Sequence, residues 1–254
     1  MLLKLENLSK SFGGLKAVAN LNIEIGQSEL VGLIGPNGAG KTTVFNLLTG
    51  VYEASEGKMI FAGKDVGGLR PYQVTHRGIA RTFQNIRLFG DLSVIDNVKI
   101  AFHQHDKYSA LSAVLRLPSF FRGEEEMESK ALALLEVFHL RGRAAEVAKN
   151  LPYGEQRRLE IARAMATEPR LLLLDEPAAG MNPQETRALM ELIRWLRDNF
   201  QLTILLIEHD MSLVMGVCER IYVLDYGMII ASGTPEQIRI DPKVIEAYLG
   251  EEAI

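Results

Sequence analysis

The chain has 254 residues, of which 47% are hydrophobic and 24% are charged, and this mixture favours a sizeable folded core over disorder. A formal net charge of -4 without a local basic patch argues against nucleic acid as a partner. No apolar run reaches the roughly 18 residues that a membrane helix needs. The start of the chain also lacks the pattern of a signal peptide. We therefore expect a protein that neither spans a membrane nor is exported.

The N-terminal residues 2–25 alternate between apolar and polar side chains. This alternation predicts antiparallel strands with one exposed face. From Glu29 onward the apolar runs are continuous, at 30–34, 171–174 and 203–207, which is typical of parallel strands buried on both faces. The predicted fold is α/β, with an N-terminal antiparallel β subdomain and a mostly parallel sheet.

Residues 35–43 fill the G-x-x-x-x-G-K-[ST] pattern of a phosphate-binding loop, between an apolar run and a helix-like segment. Glycines let such a loop aim its N–H groups at phosphate, and the positive end of the following helix points to the same place. Lys41 adds a charge for the outer phosphates, and Thr42 adds a hydroxyl for Mg²⁺. A chance glycine-rich turn is disfavoured because strand, loop and helix occur in order. The predicted nucleotide-binding residues here are Gly35, Pro36, Asn37, Gly38, Ala39, Gly40, Lys41, Thr42 and Thr43.

The middle of the chain, at about 91–165, favours helix and predicts a helical lobe inserted into a P-loop NTPase core. We expect a single domain over 1–254, with its nucleotide-binding core formed by 1–90 and 166–254. Within the lobe, 117–123 is predicted to be a loop with aromatic side chains, either exposed for contact or tucked against the protein. The acidic run that follows is predicted to be a solvated helix start.

Two carboxylates, Asp175 and Glu176, end the buried run at 171–174, where open α/β sheets bind their ligands. Asp175 is a predicted ligand of Mg²⁺, directly or through water. Glu176 is a predicted general base that polarises a water for attack on the γ-phosphate, and capping of the strand end is the alternative. The following segment, 182–199, predicts an amphipathic helix capped by Asn182.

Residues 151–160, LPYGEQRRLE, resemble the signature sequence of ABC-transporter ATPases, usually LSGGQ. In that family the signature starts a helix and contacts, in a head-to-tail dimer, the γ-phosphate held by the partner's phosphate loop. The resemblance implies that Gly154 and Gln156 contact nucleotide. Pro152 stands where serine is usual and has neither a hydroxyl nor an N–H, so the family's serine contact cannot form.

Other positions follow the same family pattern and imply ATP and Mg²⁺ as cofactors. Phe12 resembles the aromatic residue that stacks on adenine. Gln84, in RTFQNI, resembles the glutamine that contacts Mg²⁺ or the attacking water and joins the two lobes. His209, in IEHD, resembles the switch histidine that contacts the γ-phosphate and orients Glu176. The resemblance thus implies Glu176, His209 and Gln84 as catalytic residues, and Thr42, Gln84 and Asp175 at the metal.

The strings RTFQNIRLF, DEPAAGMNP, LLIEHDM and DPKVIEAYLGE resemble the ATP-binding subunits of bacterial branched-chain amino-acid importers. This resemblance implies a peripheral ATPase on the cytoplasmic face of the inner membrane. Its implied partners are two transmembrane permease subunits, a second ATP-binding subunit and, indirectly, a periplasmic substrate-binding protein. Urea importers, lipopolysaccharide exporters and soluble ABC ATPases of DNA repair or translation are alternatives. A P-loop kinase or GTPase is disfavoured by the signature.

The single cysteine, Cys218, lies in an apolar segment. A disulfide within the chain is therefore impossible. The surrounding apolar residues predict a buried structural thiol rather than a reactive one.

Overall fold

The alternating N-terminal segment forms an antiparallel sheet. The computed structural model describes residues 1–105 and 114–249. The strands of this first sheet run in the order β2-β1-β4-β5, where the elements are β1 (Leu3–Phe12), β2 (Leu15–Ile25), β4 (Glu56–Phe61) and β5 (Lys64–Asp65). Leu3 and Leu5 are buried while Lys4 between them is partly exposed. The predicted antiparallel β subdomain is confirmed.

A second sheet has six strands in the order β10-β9-β3-β8-β7-β6. Its elements are β3 (Leu30–Ile34), β6 (Ile79–Arg81), β7 (Leu171–Asp175), β8 (Thr203–Ile207), β9 (Arg220–Asp225) and β10 (Met228–Gly233). All strand pairs are parallel except that of β9 with β10 at one edge. Every residue of β3, β7 and β8 is buried, which explains their continuous apolar runs. The predicted mostly parallel sheet is confirmed.

Helices follow most strands of the parallel sheet. The α-helices within the described residues are α1 (Lys41–Leu48), α2 (Pro71–His76), α3 (Val94–Phe102), α4 (Pro118–Val137), α5 (Tyr153–Met165), α6 (Pro183–Phe200), α7 (Met211–Val217), α8 (Pro235–Arg239) and α9 (Pro242–Leu249). As predicted, Asn182 caps α6: its side chain accepts the N–H groups of Gln184 and Glu185, and the Glu185 carboxylate accepts the N–H of Asn182. None of the described helices is both long and apolar enough to cross a membrane.

Segment 117–123 is not a loop, and this prediction was wrong. Leu117 is the N-cap of α4, and Pro118 occupies the first helical position, which suits a residue without an N–H. Phe121 is exposed on the first turns of this helix. The acidic run is therefore inside α4 rather than at its start, and Glu124 pairs with Lys99 of α3 at 3.0 Å.

Two clusters of buried side chains lie around the parallel sheet. One contains the antiparallel sheet and α1. The other joins residues of α3 and α4, such as Val98 and Leu135, with Leu172 of β7 and Ile204 of β8. Cys218 also belongs to this second cluster and is buried, as predicted. Burial raises the pKa of its thiol to about 12.

Candidate functional site

Four loops meet at the carboxyl edge of the parallel sheet. Strand β3 leads into the phosphate loop, β8 into His209, β7 into Glu176 and β6 into Gln84. Because these strands are neighbours in the order β3-β8-β7-β6, their carboxyl ends lie side by side. The topology therefore collects residues that are far apart in the sequence.

The phosphate loop has a backbone that only glycine fits at two positions. Gly35 has φ 150° and Gly40 has φ 105°. A Cβ on Gly35 would lie 1.9 Å from the carbonyl oxygen of Leu224, and one on Gly40 would lie 2.7 Å from that of Ala17. Lys41 is 8% exposed, and its ammonium donates to the carbonyl oxygens of Gly35, at 2.5 Å, and Pro36, at 2.9 Å. A positive charge is thus held in the loop at the N-terminus of α1, which suits phosphate.

Thr42 and Asp175 carry side-chain oxygen atoms of the kind that a hard cation binds. Thr42 is exposed in the first turn of α1, while Thr43 is partly buried. Asp175 ends β7 and is 5% exposed. Within residues 1–105 and 114–249, the His, Cys, Asp and Glu side chains form no group of three that could hold an ion alone. One carboxylate and one hydroxyl suit Mg²⁺, which commonly takes its other ligands from phosphates and water.

Arg81 holds the carboxylate of Asp175, and sequence reasoning missed this residue. Its Nη2 lies 2.6 Å from Asp175 Oδ2, and its Nη1 donates to Asn46 Oδ1 of α1 at 2.7 Å. The guanidinium also lies over the rings of Phe45 and Phe83, at 5.4 and 5.0 Å from their centroids. Arg81 therefore connects β6, β7 and the helix that follows the phosphate loop. A lone arginine before Gln84 carried no signal of this role.

Glu176, Gln84 and His209 lie together, as the family pattern implies. Gln84 Nε2 donates to Glu176 Oε2 at 2.8 Å, and His209 Nδ1 lies 3.5 Å from the same oxygen. Glu176 has φ 45°, a left-handed conformation that costs a non-glycine residue about 1–3 kcal/mol. The fold holds this carboxylate, which is 20% exposed, where a water could approach it.

Phe12 stands exposed at the turn of the β1–β2 hairpin. Its side chain is 43% exposed and makes an edge contact with Tyr52, with ring centroids 5.1 Å apart. Further along the hairpin, the carbonyl of Ala17 faces Gly40. An aromatic surface thus lies on the strand pair that borders the phosphate loop, which suits contact with a base.

The sequence matches the family model for the ABC transporter over residues 18–179. The chain belongs to this family. The family hydrolyses ATP to power transport, so the chain is an ATPase. A second model, the branched-chain amino acid ATP-binding cassette transporter, matches residues 228–254, of which 250–254 lie outside the described residues.

Individual relatives of this ABC ATPase match along nearly its whole length. The high-affinity branched-chain amino acid transport ATP-binding protein LivG of Escherichia coli is 52% identical, with 98% of each chain covered. A crystal structure of the ADP conformation of an ABC-transporter cassette superposes with a TM-score of 0.85 at 32% identity, covering 98% of both chains. A dimeric cassette in a post-hydrolysis state with ADP and Pi has a TM-score of 0.77 at 25% identity, covering 92% of this chain and 99% of that one.

The segment of this ABC ATPase that resembles the signature lines a different cavity from its own phosphate loop. Gly154 lies in the first turn of α5, in a cavity that Pro152 and Glu155 also line, whereas residues 36–39 line a different cavity. The carbonyl of Pro152, the N-cap, accepts the N–H groups of Glu155 and Gln156. The Gln156 amide turns back and donates to the carbonyl of Leu151 at 2.8 Å. Glu155, which sequence reasoning did not select, faces the cavity beside Gly154.

A buried ion pair links the signature helix to the segment around Gln84. Arg157 is fully buried and donates to the carbonyl oxygens of Phe83, at 2.6 Å, and Gln84, at 2.7 Å. It also pairs with Glu160 at 2.9 Å, and Glu160 Oε1 accepts the N–H of Arg87 at 3.0 Å. Burial raises the pKa of Glu160, while the Arg87 N–H and the Arg157 charge oppose that rise. Sequence reasoning missed both partners, because two charged residues in a helix usually face solvent.

Proposed function

We propose that this ABC ATPase is the motor subunit of an importer of branched-chain amino acids. The observation that carries the proposal is the 52% identity to a protein named for high-affinity branched-chain amino acid transport, over 98% of both chains. The family match at residues 228–254 supports the same cargo from a separate part of the chain. Among the alternatives of urea import, lipopolysaccharide export and soluble action, lipopolysaccharide export has weaker support, because the lipopolysaccharide export system ATP-binding protein of Haemophilus influenzae is 37% identical over 99% of this chain.

For nucleotide binding, we propose that residues 35–43 hold the outer phosphates of ATP through the Lys41 ammonium and through the backbone N–H groups that every one of these residues except Pro36 carries. Phe12 would contact the adenine ring. Thr42, Asp175 and Gln84 would hold Mg²⁺, which supplies charge neutralisation between the phosphates. The proposal is supported by the loop geometry and by the exposed position of Thr42.

For hydrolysis, we propose that Glu176 acts as the general base on the attacking water. Gln84 and His209 hold its carboxylate, as their distances of 2.8 and 3.5 Å from Glu176 Oε2 suggest. A carboxylate that accepts a bond from a neutral amide remains able to take a proton from water. Glu176 has a left-handed backbone, a strained conformation of the kind that clusters at active sites.

The proposed active form is a head-to-tail dimer with a second ATP-binding subunit. Gly154 and Gln156 would then face the γ-phosphate on the partner's phosphate loop. Gly154 and residues 36–39 line different cavities of one chain. This separation supports a site that is shared between two chains. The bond from Gln156 to the Leu151 carbonyl would have to open for its side chain to take part. Residues at about 91–165 would move as the helical lobe against the core formed by 1–90 and 166–254.

We place the subunit at the cytoplasmic face of the bacterial inner membrane as a peripheral protein. Two transmembrane permease subunits would take up its motion, and a periplasmic binding protein would deliver the amino acid to them. The family membership supports a transporter assembly, and the relative's name supports the cargo.

The test is uptake of labelled leucine, isoleucine, valine and urea by cells that carry either the native chain or Glu176→Gln as their only copy. We expect Glu176→Gln to bind ATP, to lose most of its hydrolysis and to stop uptake of the three amino acids alone. Loss of urea uptake alone would indicate that the transporter carries urea rather than branched-chain amino acids. Unchanged uptake of every compound would refute the importer, and near-normal ATP turnover by Glu176→Gln would remove this residue as the base.

A further inference from the structure

A buried carboxylate with no part in the steps above lies between two loops of the site. Glu208 follows β8 directly and is 1% exposed. Its Oε1 accepts the N–H of Ala178 at 3.0 Å, and its Oε2 accepts the N–H of His209 at 3.2 Å. The Glu208 side chain thus joins its own loop, at the adjacent His209, to the separate loop that contains Ala178.

Both loops carry groups that meet at the proposed base. Ala178 lies two residues after Glu176, and His209 Nδ1 lies 3.5 Å from Glu176 Oε2. A shift of either loop would change the distance between Glu176 and His209. The bonds of Glu208 therefore restrain the arrangement of these two side chains without touching the Glu176 carboxylate.

A carboxylate at this position is costly for stability. Burial raises the pKa of Glu208, and the Ala178 N–H and the proximity of His209 oppose that rise. An apolar side chain would avoid the cost of burying charge, but it would leave two N–H groups without these acceptors. The two oxygens of one carboxylate accept the N–H groups of Ala178 and His209 separately, which an apolar side chain cannot do.

We propose that Glu208 is a positioning residue for ATP hydrolysis, because its carboxylate fixes the loop after Glu176 against His209. The inference rests on the proposed roles of those two residues in hydrolysis. It predicts that Glu208 acts on the rate of the chemical step rather than on the binding of ATP.

The experiment compares the purified native chain with Glu208→Leu and Glu208→Gln. Leucine removes both acceptors, whereas glutamine keeps the shape and one acceptor oxygen. We expect kcat for ATP hydrolysis to fall about 100-fold in Glu208→Leu, the scale of a misplacement of about 1 Å, while KM changes less than about threefold. Glu208→Gln should have an intermediate kcat. By NMR, the amides of Ala178 and His209 should exchange hydrogen faster in Glu208→Leu.

Glu29→Gln is the matched control. The Glu29 carboxylate also accepts a loop N–H, that of Gly26 at 2.7 Å, but it precedes β3 at the opposite edge of the sheet. We expect the kcat of Glu29→Gln to equal that of the native chain. If Glu208→Leu does not fold, the kcat of Glu208→Gln tests the proposal instead.

A native kcat in a folded Glu208 variant would overturn the proposal, and so would a rise in KM with unchanged kcat. Unchanged exchange of both amides would overturn it as well. Uptake of amino acids is absent from this assay, so an error in the proposed cargo would leave its result unchanged.

Discussion

Replacing Arg157 by methionine should destabilise the chain strongly, because this guanidinium is fully buried and holds several groups at once. Methionine is apolar and flexible and leaves little empty space, so the main loss is electrostatic. The carboxylate of Glu160 would remain buried without its cation, and the carbonyl oxygens of Phe83 and Gln84 would lose a charged donor.

The expected loss in free energy of unfolding is about 3–5 kcal/mol, the cost of removing one member of a buried ion pair. For a domain of this size, each kcal/mol corresponds to about 2–4 °C, so Tm should fall by roughly 6–20 °C. Replacing Glu160 by leucine in the same chain should recover part of this loss, because it removes the unpaired charge.

Urea unfolding followed by far-UV circular dichroism measures these differences. Arg158→Met is the control on the same helix: the Arg158 side chain is 29% exposed and lies 3.8 Å from Glu155. Such a partly exposed pair contributes about 0–1 kcal/mol. A loss for Arg157→Met no larger than that for Arg158→Met would refute the idea that the buried pair holds the Gln84 segment. A variant that combines Arg157→Met with Glu160→Leu and is less stable than Arg157→Met alone would refute the same idea.

Three further predictions concern titration, reactivity and nucleotide binding. Burial raises the pKa of Glu160 above 4.5, so the folded chain holds its proton more tightly than the unfolded chain, and this contribution to stability is lost as pH rises through the raised pKa. Between about pH 4 and 8, the urea concentration at the midpoint of unfolding should therefore decline less in Glu160→Gln than in the native chain. Parallel curves for the two chains would contradict a raised pKa of Glu160. Cys218, whose pKa is raised to about 12, should resist iodoacetamide in the folded chain and react once urea unfolds it; rapid labelling of the folded protein would contradict its burial. Lys41→Ala should weaken ATP binding by about tenfold or more in a fluorescent-nucleotide titration, with the exposed Lys58→Ala as a control that keeps native affinity.

Features that depend on a short stretch of chain could be predicted from the sequence. The phosphate loop, the continuous apolar strands and the capping of α6 by Asn182 each follow from residues within a few positions of one another. Burial of Cys218 followed from its apolar neighbours. The start of α4 was missed for the same local reason: Pro118 and two adjacent phenylalanines suggest a loop unless packing against α3 is known.

Contacts between distant residues could only come from the tertiary structure. Arg81 and Asp175 are 94 residues apart, Arg157 and Phe83 are 74 apart, and Glu208 and Ala178 are 30 apart. The Arg81–Asp175 and Glu208–Ala178 contacts depend on the sheet order β3-β8-β7-β6, because the carboxyl ends of neighbouring parallel strands lie side by side. The residues of a single chain therefore determined which chemical groups this ATPase carries. The order of its strands decided which of those groups face one another, because parallel neighbours in a sheet need not be neighbours in sequence.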